Sequence, residues 1–471
     1  MSAKDSQGSL KLQNKGQWPN AWKIAAAVGG LGLLGTLAGF SMDHERIGYS
    51  FLFGYFATLT LLFGAMFLVI AQHVTQGHWG VSTRRIPELV MSGAPVMAVF
   101  GLVLLGGVAA GQFTQYGQWM GAHHGGGEHG APAGEHHGAN DAALLGGTAH
   151  AQEHGAEHAA AAEHGAAEHG SDVATVGHMI APNHFEEHAH HELLAKKASY
   201  LNKGRWLAFG IAYLVIWLAI SFFFFRTSVK QDETKDKQLT MKMKFWAPLS
   251  AIGFFLTMTF AAFDWLMALE PAWYSTIFGV IIFGGSAVCI LAFTILVGLG
   301  LSEGGHTGHA ITTEHFHDLG KLMFGFMCFW TYVSFSQWML IWYAGIPEEA
   351  VWYHRRWAGG WQIISMLLPI AHFALPFVFL ISRVIKRNLG LLKVGAIWLL
   401  VMHVVDIYWF VMPHATEVPE FSAGKLWIDV SALLLVAGTF LAVVFKNMHQ
   451  VNLVPVGDPR LSRSLHHHQT Y

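Results

Sequence analysis

Two carboxylic acids, Asp264 and Asp406, lie inside long apolar runs of this chain. Holding a carboxylate in hydrocarbon costs roughly 3 kcal/mol on insertion scales and more in simulations. A chain that keeps two of them has partners for them, water beside them, or protons to move. Other polar groups gather near the same positions. His403 stands three residues before Asp406 on the same helix face, a spacing that lets them pair. Tyr408 follows, and His372 lies mid-run between Pro369 and Pro376. Thr331, Ser334, Ser336, Gln337 and Tyr343 form a polar series in another run, and Asp429 opens the last one. At 1.5 Å per residue these groups collect in one half of the membrane.

Two chemistries fit this inventory. Asp264, Asp406 and His403 are suited to relay protons. Tyr408, His372, Gln337 and Tyr343 can supply hydrogen bonds to a quinone or to water, and oxidation of a quinol needs bases that take its protons. The competing reading is interhelical hydrogen bonding, worth about 0.6 kcal/mol per contact. That reading suits Thr331, Ser334 and Ser336. His372 and His403 sit at similar depth, as two haem ligands would. A histidine bonded to Asp406 is the simpler arrangement.

The elements that position these groups are membrane spans. The chain has 471 residues, 53% hydrophobic and 12% charged, with a net charge of -2. Soluble domains are typically about 25% charged, so the class is polytopic membrane protein, all-α. Near-neutral charge argues against nucleic acid as a partner. The two cysteines lie in apolar runs, too few for an iron–sulfur site and without a haem-attachment motif. Spans of about 20 apolar residues fall near 22–40, 48–72, 87–110, 206–225, 245–267, 273–301, 321–344, 360–382, 394–412 and 426–445. Regions on the side of the termini hold 20 of the 28 Lys and Arg residues. Both termini are therefore expected in the cytoplasm. The stretch 114–200 is a low-complexity insertion on the opposite side. It holds 15 histidines between His123 and His191, with His154 and His158 at helical spacing. It reads as a solvated loop without a fixed metal site, as does the tail at His466, His467 and His468. The loop with His306, His309, His315 and His317 reads as turn and interface chemistry.

An internal repeat organises the spans. Tyr49–Gly54 and Tyr274–Gly279 both read YSxxFG at the start of a span. Asp264 and Asp406 are each followed seven residues later by proline, Pro271 and Pro413. Trp206 and Trp361 open a third matching pair. The expected architecture is two tandem four-helix bundles, 48–267 and 268–413. An arm and first helix (1–47) and a last helix and tail (414–471) lie outside the repeat. Sites in duplicated membrane folds lie where repeats or their helices converge.

Two stretches carry a resemblance: DWLMALEPAWYSTIFG, and FHDLGKLMFGFMCFWTYVSFSQWMLIWYAGIPEE. They resemble the second large membrane subunit of Alternative Complex III, within the polysulfide-reductase/NrfD-like group. The histidine-rich insertion departs from that pattern. The resemblance implies a subunit of a bacterial quinol:electron acceptor oxidoreductase in the inner membrane, not catalytic alone. It implies no covalently bound cofactor here, with menaquinone or another quinone as a candidate ligand. Haems and iron–sulfur clusters would sit in partners only. Those partners are a related ten-helix subunit, periplasmic multihaem and monohaem cytochrome c subunits, an iron–sulfur subunit and, as a further candidate, a terminal oxidase. Two other classes stay open: a stand-alone secondary transporter, suggested by the duplication, and a purely structural anchor.

Overall fold

The computed structural model describes residues 10–13, 16–120 and 193–467. The histidine-rich residues 121–192 and the tail from His468 onward lie outside these, and with them the question of metal binding at His154 and His158. Among the described residues the regular structure is helical, apart from one isolated bridge between Lys11 and Asn452.

Several of the long helices start where a short polar side chain caps them. α1 (Ala21–Met42) leads into α2 (His44–Thr75), where the Asp43 carboxylate accepts from the Arg46 amide at 3.1 Å. α3 (Val81–Met91) and α4 (Ala94–Ala109) together form one crossing. α5 (Lys203–Thr234) is capped by Asn202 and α6 (Lys237–Trp265) by Asp236. α7 (Phe278–Glu303) precedes α8 (Thr313–Ala344), which opens with a reciprocal Thr312–His315 capping box. After the short α9 (Pro347–Arg355) comes a composite helix: α10 (Trp361–Leu367), a π-helical turn over Leu368–Ala374, and α11 (Leu375–Leu380). The π turn has a covalent cause. Pro376 lacks an N–H and its ring crowds the carbonyl four residues back, so the backbone opens at His372. α12 (Leu389–Val411) and α13 (Leu426–Met448) complete the set.

Nine of the described helical segments are long and apolar enough to cross a membrane. The expected span near 321–344 is α8. It is as long as α2, but beyond its charged first turns Thr331, Ser334, Ser336 and Gln337 interrupt the apolar stretch and lower its hydropathy. The span expected from residue 87 starts earlier, at Val81, and draws Arg84 and Arg85 into the helix.

α2 packs on α3, α4 and α6, and α5 on α4 and α6; α7 packs on α8 and α12, and α12 on the π turn. The two groups meet along α2 and α7. A Cβ on Gly64 would lie 2.2 Å from the Ser286 carbonyl oxygen, so this seam closes only on glycine. α1 and α13 pair with each other beside α2. The Leu453 amide donates to the Leu10 carbonyl at 2.8 Å, so the two terminal arms meet on one face. That is the terminus face below; the opposite one is the far face.

Candidate functional site

Asp406 is buried in α12, 2% exposed. Its carboxylate accepts one hydrogen bond, from Trp330 Nε1 of α8 at 3.1 Å, and no cation pairs with it among the described residues. Trp330 also lies over the ring of His372, centroids 4.1 Å apart. His372 projects from the π turn, is fully buried, and neither ring nitrogen is bonded to a protein group.

The expected pairing of His403 with Asp406 does not form. His403 Nε2 meets Thr60 Oγ1 of α2 at 2.8 Å instead. The two side chains leave α12 on diverging lines, and the histidine reaches across the seam. Thr60 already donates its hydroxyl hydrogen to the Ala57 carbonyl at 2.7 Å, so its oxygen accepts from the histidine. That network assigns the proton of neutral His403 to Nε2 and leaves an open lone pair on Nδ1, which has no partner. Gly285 makes room for it: a Cβ there would stand 2.9 Å from Nδ1. The second group of helices thus holds, among the described residues, an acid without a cation and two buried imidazoles with three nitrogens not bonded to protein. A buried unpaired polar atom costs about 1–3 kcal/mol.

Asp264, the counterpart in the first bundle, is treated differently. Arg205 donates to its Oδ1 at 2.6 Å and Tyr213 to its Oδ2 at 2.7 Å. Trp206 Nε1 donates to its backbone carbonyl at 2.8 Å, and Tyr116 to the next carbonyl, of Trp265, at 2.7 Å. Arg205 is held in turn by the Tyr200 carbonyl and lies over the Tyr200 ring. Burial, with Asp264 nearby, pushes the Tyr200 phenol up to about 12, so Tyr200 stays neutral there. Each carboxylate oxygen of Asp264 accepts a hydrogen bond.

Three expected ligand contacts are placed elsewhere. Tyr408 donates to Asp429 Oδ2 at 2.9 Å, within a far-face cluster in which Arg46 pairs with Asp429 at 2.6 Å and Ser50 donates to Asp429 at 2.6 Å. Gln337 accepts from Ser275 at 2.8 Å and donates to Tyr353 at 3.2 Å, tying α8 to its neighbours. Tyr343 is 84% exposed at the end of α8, where an aromatic interface anchor would sit. Glu270, beside Pro271, is buried and paired with Arg355 at 3.3 Å.

Residue-level reading missed two features. Trp330 looked like packing, yet it is the group that touches both Asp406 and His372. A tryptophan in mid-span, away from the interface belts, is the available signal, because its buried N–H needs an acceptor. The second is on the terminus face, where Arg84 and Arg85 looked like loop charges. Both are fully buried: Arg84 pairs with Glu88 and Asp458 at 2.7 and 2.8 Å, Arg85 with Glu88 and Asp232 at 3.0 and 2.5 Å. The i,i+3 and i,i+4 placement of Glu88 against two arginines was legible; the remote partners were not. Among the described residues no group of three or more His, Cys, Asp or Glu side chains is placed to hold a metal ion.

The chain matches no protein-family model, and a search of curated proteins returns no significant match.

Proposed function

We propose that this chain is an integral subunit of a respiratory quinol:acceptor oxidoreductase, and that its own task is to pass protons through the second bundle. The observation that carries this is Asp406, a buried acid with, among the described residues, one tryptophan N–H as partner and no counter-ion. Such a group is costly as structure and useful as a proton carrier. His403, with Nδ1 open and Nε2 anchored on Thr60, accepts a proton without leaving its place. His372 offers a second base from the π turn. Tyr408, which donates to the arginine-paired Asp429, continues the line of polar groups toward the far face. Quinol oxidation and the electron path belong to partner subunits in this reading. The bilayer is the bacterial inner membrane with both termini in the cytoplasm, as the Lys and Arg distribution favours.

The test uses the assembly purified from native membrane and reconstituted in vesicles. Asp406→Asn should leave quinol-dependent electron transfer running while proton uptake per electron falls; Asp406→Glu should restore part of it. Unchanged proton uptake in Asp406→Asn removes the proposal. A chain that purifies alone, without haem-bearing partners, would point to the transporter class.

A further inference from the structure

We propose that the seam between the bundles carries a binding site for an uncharged ring amphiphile near the terminus face. The ligand class is a flat ring bearing carbonyl or hydroxyl groups on an apolar tail, as in quinones. The site is a cavity of about 230 Å³ between α2, the turn that follows it, α7 and α8. It is separate from the Asp406 cluster and rests on the functional reading above only for which ring lipid the membrane supplies.

Four observations fix the chemistry. Gln72 of α2 lines the cavity, is 5% exposed, and neither its amide oxygen nor its nitrogen is bonded to a protein group. Such an amide offers a donor to a ring carbonyl and an acceptor to a ring hydroxyl, so it suits both oxidation states. Gly80 gives the amide its room: a Cβ at Gly80 would lie 2.6 Å from the Gln72 nitrogen. The walls are Phe67, Trp79, Leu291, Leu322 and Phe326, with Leu291 buried and the aromatic residues half-exposed at the mouth. Such walls suit a planar ring better than a branched head.

No lysine, arginine or acid lines the cavity, so nothing there would hold a phosphate or an ammonium group. That disfavours a phospholipid head. Pockets for whole drug-sized ligands run about 300–1,000 Å³. A cavity of 230 Å³ takes a head group and leaves the tail outside, past the half-exposed Phe67 and Phe326.

The experiment is photolabelling of native membranes that contain the full chain, with an azido-substituted quinone and mass-spectrometric mapping. Adducts are expected on residues 67–79, 291 or 322–326, displaced by excess unlabelled quinone but not by diacylglycerol. Gln72→Leu, which keeps the shape and removes the hydrogen bonds, should cut labelling at least tenfold. Leu291→Trp, which fills the cavity, should abolish it, with the thermal midpoint of each variant confirming the fold. Labelling that is absent, that survives both substitutions, or that diacylglycerol displaces equally would overturn the site. Because proton uptake is read separately through Asp406→Asn, loss of this site leaves the proton proposal standing, and the reverse also holds.

Discussion

Asp264 and Asp406 each stand near the end of a long helix with a proline seven residues on, yet the protein surrounds them in opposite ways. Asp264 has a guanidinium at 2.6 Å and a phenol at 2.7 Å. Asp406 has an indole N–H at 3.1 Å. Counting from the paired tryptophans Trp206 and Trp361, the residue before each is Arg205 in one copy and Gly360 in the other. Trp217 of the first copy likewise corresponds to His372 of the second. Around Asp264 the chain places a cation and an aromatic wall; around Asp406 the described residues place no cation and a histidine instead. The two acids therefore differ in their neighbours, one held by a guanidinium and a phenol, the other by an indole N–H.

The sharpest way to break this comparison is to remove the cation. Arg205→Ala leaves Asp264 buried and unpaired, and breaking a buried pair costs about 3–5 kcal/mol. The Arg205 side chain is 15% exposed, so the loss should fall at the low end. A drop in thermal midpoint that Arg205→Gln combined with Asp264→Asn largely reverses would confirm a structural ion. The same pair of substitutions should leave proton uptake intact. Asp406→Asn reverses the pattern: stability changes little, and proton uptake falls about tenfold, which is near 1.4 kcal/mol. If the two acids gave the same phenotype, the distinction drawn here would fail.

A smaller effect should come from Trp330→Phe. It removes the one hydrogen bond to Asp406 while keeping the ring on His372, so stability should fall by about 0.5–1.5 kcal/mol. Proton uptake should slow but persist. Thr60→Val should weaken coupling further, because His403 loses the anchor that fixes its tautomer.

The smallest expected effect lies in the terminus-face network, where an acid is again held by cations. Burial alone would raise the Asp458 carboxyl, but the bonds from Arg460 and the charge of Arg84 outweigh it and hold it below the usual carboxylate range. A group depressed in the folded state stabilises above its unfolded value and loses that contribution as pH falls. Amide protection factors over residues 452–465, taken relative to the intrinsic exchange rate at each pH, should therefore stay flat from pH 8 to about 5 and fall below about 4. Asp458→Asn should remove that pH dependence.

Much of this architecture is legible without coordinates. Apolar run length gives the spans, since hydrocarbon thickness sets it. The YSxxFG pair and the two Asp-to-Pro spacings recur in the sequence at comparable places in the helices. The prolines around His372 announce a disturbed helix, and the backbone opens there. The error at His403 has a plain origin. Helical spacing says which residues share a face, but a three-residue offset still turns the side chains apart. The better acceptor stood on another helix, 343 residues away.

Composition and local pattern thus determined that the chain is an all-α membrane protein of roughly ten helices, and that two acids are carried into apolar surroundings. Which acid is neutralised was decided by tertiary structure alone. Arg205 precedes Asp264 by 59 residues and Trp330 precedes Asp406 by 76, while Arg46 reaches Asp429 across 383. Partnerships at those separations depend on how packed helices are rotated about their own axes. That rotation is set by side-chain fit along whole interfaces, and no local pattern encodes it.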